Sequence, residues 1–473
     1  MATIRSALAA VAVSGALALP AVTLPESCDA YLTGRTDRDN PVSYRVGDPI
    51  EFRLTLANPS PELTNGDFRV QWIRLGDDGA PRQSRVEPLD GRPLVYRTSL
   101  DRPGFVFVKA TVIGADGKTV KRTRDLPGAA GWENSRALAF SGGAGVEIGS
   151  LRASYEEPKD FDAFWRRQRA RLAAVPVEVL ELREMPAPKP GFRAWAVTVA
   201  CAGPRPVMGY LAMPADAAPK SLKAVLSCMG YGDETRNGEA NLISSDELRD
   251  GEMQFLINAH GFDYFTTDPR RLADFHDGIR TPKSEYAMSR HQNEYPEGCY
   301  FNGMALRVMR SLEYLQTRPE WNGRDLECQG GSQGGLQTLW AASLCDRLTA
   351  ARAEVPWGGD WHMKEIPGRI VWSCAPDYMP GLAYYDSAFH ARRAKCRVDI
   401  VRAGLGDRVC PCTSVAVIYN NLPEGGRSIN WVQGSTHGLI PPAPVQTYEL
   451  PSGRIVLPKV GAGVFTGDAG MLR

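Results

Sequence analysis

The chain has 473 residues, more than one hydrophobic core usually organises, so length alone points to two domains. Hydrophobic residues make up 43% and charged residues 23%, an ordinary globular balance that excludes a disordered chain. With 55 Lys and Arg against 54 Asp and Glu, and a pI near 7.5, the chain offers no field to hold nucleic acid or an anionic membrane surface.

The first informative segment is the N-terminus. Arg5 precedes an apolar run from Ala7 to Leu19, with small residues Ala16, Ala18 and Ala21 towards its end. This predicts a secretory signal peptide over 1–21 and hence export to the periplasm or beyond the cell. The run is short for a membrane span, and no later stretch is long and apolar enough to cross a bilayer. Pro25-Glu26-Ser27 before Cys28 lacks the small apolar residues that lipoprotein processing needs.

A β pattern follows, predicting an all-β sandwich domain over 27–128. Ile50, Phe52, Leu54 and Leu56 alternate with polar residues, as do Phe68, Val70 and Trp72, and Val106, Val108, Ala110 and Val112. Turn signals separate these runs, notably Gly114-Ala115-Asp116-Gly117. The domain carries no clustered catalytic residue types, so it reads as a spacer or packing domain, with glycan binding as the alternative. Residues 129–150, rich in Gly, Ala and Ser and including Gly142-Gly143-Ala144-Gly145, read as a linker.

From 151 to 445 strands and helices alternate. An amphipathic helix opens at Asp160-Phe161-Asp162. Strands are predicted near 194–200, 207–212, 224–229, 326–328, 350–355, 398–403 and 428–432, with helices over 303–315 and 333–344. This alternation predicts a doubly wound, mainly parallel α/β sheet with its site beyond the carboxyl ends of the strands. The tail over 446–473, with strand-like Ile455-Val456-Leu457, has no readable role.

The strongest chemical signal is Gly330-Gly331-Ser332-Gln333-Gly334-Gly335, a G-x-S-x-G pattern between a strand and a helix. In such a nucleophile elbow the serine sits on a strained turn with its Oγ exposed, and flanking glycines leave room for the crossing chain. A serine hydroxyl needs an imidazole to take its proton, and the imidazole needs a carboxylate to fix its tautomer. On an α/β-hydrolase fold these follow the serine in the order acid, then histidine. Asp407, directly after the strand ending at Ala403, and His437, after the strand ending at Val432, fill those places. Asp377 and Asp399 are poorer acids, and His362 and His390 are the rival histidines. For the oxyanion, one backbone N–H belongs to the residue after the serine, Gln333. The other is assigned to Tyr231, in Gly230-Tyr231-Gly232 after an early central strand. Trp357 and Tyr295 are candidate sugar contacts, with ordinary core packing the alternative for Trp357.

Ten cysteines show no metal or small-scaffold spacing, and the six histidines form no HxH or HExxH pair. Cys228 and Cys328, within apolar strands, read as buried free thiols. Neither a metal nor a cofactor is called for.

Four segments in order resemble the acetyl xylan esterase / cephalosporin C deacetylase family (carbohydrate esterase family seven). They are Glu157-Pro158-Lys159-Asp160-Phe161-Asp162-Ala163-Phe164-Trp165, Gly230-Tyr231-Gly232, Gly331-Ser332-Gln333-Gly334-Gly335, and Gly406-Asp407 through Pro411. The likeness spans about Ala153 to Pro441. It implies Ser332, Asp407 and His437 as a triad, Tyr231 and Gln333 as oxyanion donors, and removal of acetyl groups from acetylated xylooligosaccharides or small sugar esters through an acetyl-enzyme. Two departures stand out. The family commonly has Arg-Gly-Gln after the next strand, where 266–271 here reads Thr-Thr-Asp-Pro-Arg-Arg, and it commonly follows its histidine with Glu, where Gly438 stands. A serine peptidase of the same fold and a catalytically inactive glycan-binding protein are the rival readings. Assembly into a homo-oligomer is left open by the sequence.

Overall fold

The computed structural model describes residues 23–456, apart from 25–27, 65–66, 127–133, 233, 237–238, 267, 282–285, 371–374, 443–444 and 455. The expected signal peptide, over 1–21, lies outside the described residues.

In the front region, alternation of apolar and polar residues gives each strand one buried face. Strands β1 (Tyr31–Thr36), β2 (Ile50–Ala57) and β5 (Leu94–Thr98) form one antiparallel sheet. Strands β3 (Arg69–Gly76), β4 (Gln83–Pro88), β6 (Gly104–Ile113) and β7 (Ala139–Val146) form another, ordered β4-β3-β6-β7. Phe52, Leu54 and Tyr96 from the first meet Val70, Trp72, Val106 and Val108 from the second in one core, with Trp72 and Tyr96 stacked at 5.2 Å. The expected sandwich is present. Its boundary is not where the composition suggested, because β7 falls inside the expected linker. It pairs with β6 from Gly104↔Val146 to Thr111↔Ala139 and is almost wholly buried. Its glycines serve close backbone packing rather than flexibility.

Behind this lies a second unit. Helix α1 (Phe161–Ala173) precedes strands β8 (Val179–Met185), β9 (Phe192–Val199), β10 (Val207–Pro214), β11 (Leu222–Cys228) and β12 (Glu252–Ile257). Then come α2 (Pro269–Ile279), α3 (Tyr300–Thr317), β13 (Trp321–Gly331), α4 (Gln333–Leu344) and β14 (Ala350–Glu354). The chain continues through α5 (Ser387–Ala391), β15 (Arg397–Gly404), α6 (Cys412–Asn421), β16 (Arg427–Val432) and β17 (Thr447–Leu450). These strands form one sheet ordered β17-β16-β15-β14-β13-β11-β12-β10-β9-β8. From β12 through β11 to β16 neighbours run parallel, and β8–β10 and β17 add antiparallel edges. Helices α3 and α4 pack on β11 and β13, and α6 on β15 and β16. The doubly wound prediction holds. The tail differs from expectation, since its first residues form the edge strand β17; positions 455 and 457 lie outside the described residues. Among the described residues, no helix is long and apolar enough to cross a membrane.

The two units are locked together by buried polar contacts. Asp77, after β3, accepts hydrogen bonds from Phe105 N (2.8 Å), Ile370 N (2.7 Å) and the Thr413 hydroxyl. Burial pushes its carboxyl pKa up, the hydrogen bonds and Arg369 opposing that shift. The Gln433 amide exchanges two hydrogen bonds with the backbone of Gly143 in β7, at 2.9 and 2.8 Å.

Candidate active site

Ser332 ends β13 and precedes α4 with φ 53° and ψ −119°, a backbone conformation costly for a non-glycine residue. The neighbouring sequence makes this turn possible. A Cβ on Gly334 would lie 2.2 Å from the Cys228 carbonyl oxygen, so only glycine lets the turn press against β11. The turn is held from outside as well: Ser332 N donates to the Glu354 carbonyl (2.9 Å), and Trp357 N donates to the Ser332 carbonyl (3.1 Å). The serine is 7% exposed, buried yet reachable at the carboxyl end of the sheet. Gln333 opens α4, where the first backbone N–H groups have no carbonyl within the helix to accept them.

Asp407 follows β15 and faces inward. Its Oδ1 accepts Val409 N (2.8 Å) and Cys410 N (3.0 Å), while its Oδ2 lies 2.9 Å from Nδ1 of His437. With Nδ1–H donating to the carboxylate, Nε2 carries the lone pair that can take a proton. Both residues are buried. The structure thus brings together the predicted acid and the predicted histidine, from the exits of adjacent strands β15 and β16.

The oxyanion candidates share a partner. Tyr231 follows β11 in a turn with Gly232 at φ 74°. Its ring stacks on Tyr286 at 4.1 Å, and its hydroxyl donates to the Tyr286 carbonyl and accepts the Tyr286 N–H, both at 2.9 Å. Gln333 Nε2 donates to the Tyr286 hydroxyl at 2.9 Å. Tyr286 itself precedes Ala287, a buried non-glycine residue at φ 61°. No motif in the sequence singles out Tyr286.

Arg402 and Glu354 were also missed. The signal was available: in β15 Val398, Ile400 and Arg402 share the inward face, so a charge stands where the pattern demands an apolar residue. Arg402 Nε donates to Glu354 Oε1 at 2.6 Å, and its other nitrogens reach the loop carrying His437.

The rivals have structural roles. His390 is fully buried, between Ser343 Oγ (2.5 Å) and the Tyr384 carbonyl (3.0 Å), and burial pushes its pKa down to about 3. His362 packs beside Tyr155 and Tyr378. Asp399 pairs with Arg397, and Asp377 with Lys364. The candidate sugar contacts fare less well. Trp357 is 3% exposed and packs edge-on against Trp361, so it is a core residue behind the serine turn rather than an open platform. Tyr295 is 68% exposed, in a loop packed over Gly381. The segment directly after β12 is Asn258-Ala259-His260-Gly261, which corrects the placement of the strand exit at 266–271. There His260 lies 2.7 Å from Glu234 and 2.6 Å from the Tyr300 hydroxyl. Cys228 and Cys328 are free, buried thiols 4.0 Å apart on neighbouring strands. Among the described residues one group could ligate a metal: Asp407, Cys410 and His437 have ligand atoms within 4.8 Å of one another. That donor set coincides with the acid–histidine pair, so a bound metal would take the ring from its carboxylate.

Residues 146–365 match the acetyl xylan esterase (AXE1) family model, a stretch that includes the serine turn. An acetyl esterase of Xylanibacter ruminicola, Axe7A, is 25% identical over 374 residues, 75% of this chain and 76% of that protein. An acetyl xylan esterase structure from Paenibacillus sp. R4 superposes with a TM-score of 0.51 at 20% identity, covering 62% of this chain and 94% of the other. Acetyl xylan esterase 1 from Thermoanaerobacterium sp. JW/SL YS485 gives 0.49 at 18% identity, over 62% and 93%. Over residues 146–365 the chain is thus similar to the acetyl xylan esterase family, and it is a carboxylic ester hydrolase with an α/β-hydrolase core.

Proposed function

We propose that the chain is an exported serine esterase that removes acetyl groups from acetylated carbohydrates, with Ser332 as nucleophile, His437 as general base and Asp407 as its orienting acid. The observation that carries this reading is the 2.9 Å bond from His437 Nδ1 to Asp407, made by the two residues that follow a strained serine turn in the chain order of the fold. In the first half-reaction Nε2 of His437 takes the Ser332 proton as Oγ bonds the acetyl carbonyl carbon. The oxyanion that forms is met by the backbone N–H groups of Tyr231 and Gln333. The bond to the sugar oxygen then breaks, and His437 returns the proton to that oxygen. Water, deprotonated by the same imidazole, attacks the acetyl carbon; the bond to Ser332 Oγ breaks, His437 returns the proton to Oγ, and acetate is released. Tyr231 is fixed by Tyr286, and Gln333 by its place at the start of α4, so both donors are set before substrate arrives.

An uncharged, acetylated xylooligosaccharide suits the near-neutral chain, and the substrate class follows the names of the relatives. Ser332→Ala should lower hydrolysis of 4-nitrophenyl acetate and acetate release from acetylated xylooligosaccharides by ~10³-fold or more. A mutant that keeps its rate sinks the assignment. Export rests on the N-terminal segment, and sequencing the N-terminus of protein recovered outside the cytoplasm tests it: an intact Met1 there would count against processing.

A further inference from the structure

Arg402 and Glu354 form a charged pair whose side chains are 4% and 8% exposed. Burying two charges is expensive, and a well-packed apolar pair of the same volume is often as stable or more so. Stability is therefore a poor reason for such a pair to stand here, and its contacts suggest another. Besides Glu354, Arg402 grips three consecutive residues of one loop. Its Nη1 donates to Ser435 Oγ (3.0 Å) and the Thr436 carbonyl (2.9 Å), and its Nη2 to the His437 carbonyl (2.9 Å). Glu354 in turn holds the other side of the site through its backbone, since its carbonyl accepts the Ser332 N–H at 2.9 Å. The two residues are also joined in the sheet, where Val355 N donates to the Arg402 carbonyl at 2.8 Å.

A continuous chain of bonds thus runs from the serine turn to the histidine loop: Ser332 N–H, Glu354 carbonyl, Glu354 carboxylate, Arg402 guanidinium, His437 carbonyl. We infer that the Arg402–Glu354 pair is a positioning device that fixes the His437 loop relative to the Ser332 turn. The inference rests on the triad proposed above. The fork shape of the guanidinium is what the role requires, because a single planar group satisfies a carboxylate, a hydroxyl and two carbonyls at once. A lysine ammonium supplies charge without that fork. Neither residue touches the reacting atoms, so both are positioning residues.

The test separates positioning from mere packing. In the paired replacement Arg402→Met with Glu354→Leu, no unpaired charge remains, and Tm should stay near that of the parent. The kcat for 4-nitrophenyl acetate should nonetheless fall about 100-fold, the scale of a misplaced catalytic group, with KM changed less than about threefold. Labelling of Ser332 by a fluorophosphonate should slow in parallel. Should the paired replacement fail to fold, Arg402→Lys decides: it keeps a cation opposite Glu354 but not the fork, and should lose roughly tenfold or more in kcat at unchanged KM. Full kcat in Arg402→Lys, or in a folded Met/Leu pair, overturns the inference. The parent and Ser332→Ala are measured alongside: if Ser332→Ala remains active, it is the triad that has failed, and the two failures are told apart.

Discussion

Gln433→Met tests whether the front β unit is built into the esterase or merely attached to it. Gln433 is 1% exposed and its amide bonds both the N–H and the carbonyl of Gly143 in β7. The contact zone is tight: a Cβ added at Gly406, next to the acid, would lie 2.1 Å from the Ser141 carbonyl oxygen of the same strand. Methionine keeps the volume, so water gains no space, but it can neither donate to nor accept from Gly143 at useful strength. Two buried backbone groups are then left unpaired, at about 1–3 kcal/mol each, or about 2–6 kcal/mol in all. At the ~2 °C per kcal/mol of a large chain, Tm should fall by about 4–12 °C. Because Gln433 leads the loop to His437, kcat should drop as well. Differential scanning fluorimetry and nitrophenyl acetate hydrolysis read both. A Tm within about 1 °C of the parent, with unchanged turnover, would refute the interlock and return the front unit to a spacer.

Two further variants probe the core and the oxyanion side. His390 is fully buried with a pKa near 3, below the ordinary 6.5, so the unfolded chain takes up a proton that the folded chain refuses. The stability contributed by the neutral ring is complete above about pH 6.5 and lost as pH falls towards 3, at up to ~1.4 kcal/mol per pH unit. His390→Gln should flatten the Tm–pH curve between pH 6.5 and 4 by that one-proton slope; an unaltered slope contradicts the assignment of a neutral, buried imidazole. Tyr286→Phe keeps the stack on Tyr231 but removes the acceptor of Gln333 Nε2. Its kcat should fall roughly tenfold at little-changed KM, less than the ~100-fold for loss of an oxyanion donor outright. Parent-like kcat would mean that Gln333 needs no such support.

What could be seen in the sequence was what local chemistry dictates. The serine turn announces itself because a Cβ at Gly330 or Gly334 would strike neighbouring backbone, and Asp407 and His437, the proposed acid and base, stand at strand ends in the order expected of the fold. The front strands were legible from period-two alternation. Features set by distant packing were not. Strand β7 looked like a linker because Gly142-Gly143-Ala144-Gly145 lacks side chains, yet their absence is what lets β7 meet Leu405 and Gly406. Edge strand β8 escaped notice because most of it is exposed on both faces, so no alternation marks it. Tyr286 and Arg402 act through partners far away in the chain, and a residue's partner is invisible until the fold supplies it. Trp357 shows the converse: an aromatic beside glycines resembles a sugar platform, but the fold turns it into the core.

The most direct test of the serine mechanism is to trap the acyl intermediate. Protein turning over 4-nitrophenyl acetate is quenched in acid, digested, and the peptide bearing Ser332 is weighed. One acetyl group is expected on Ser332, absent from Ser332→Ala. Undiminished turnover with no acetyl on that peptide, or with the acetyl on a different side chain, would contradict it.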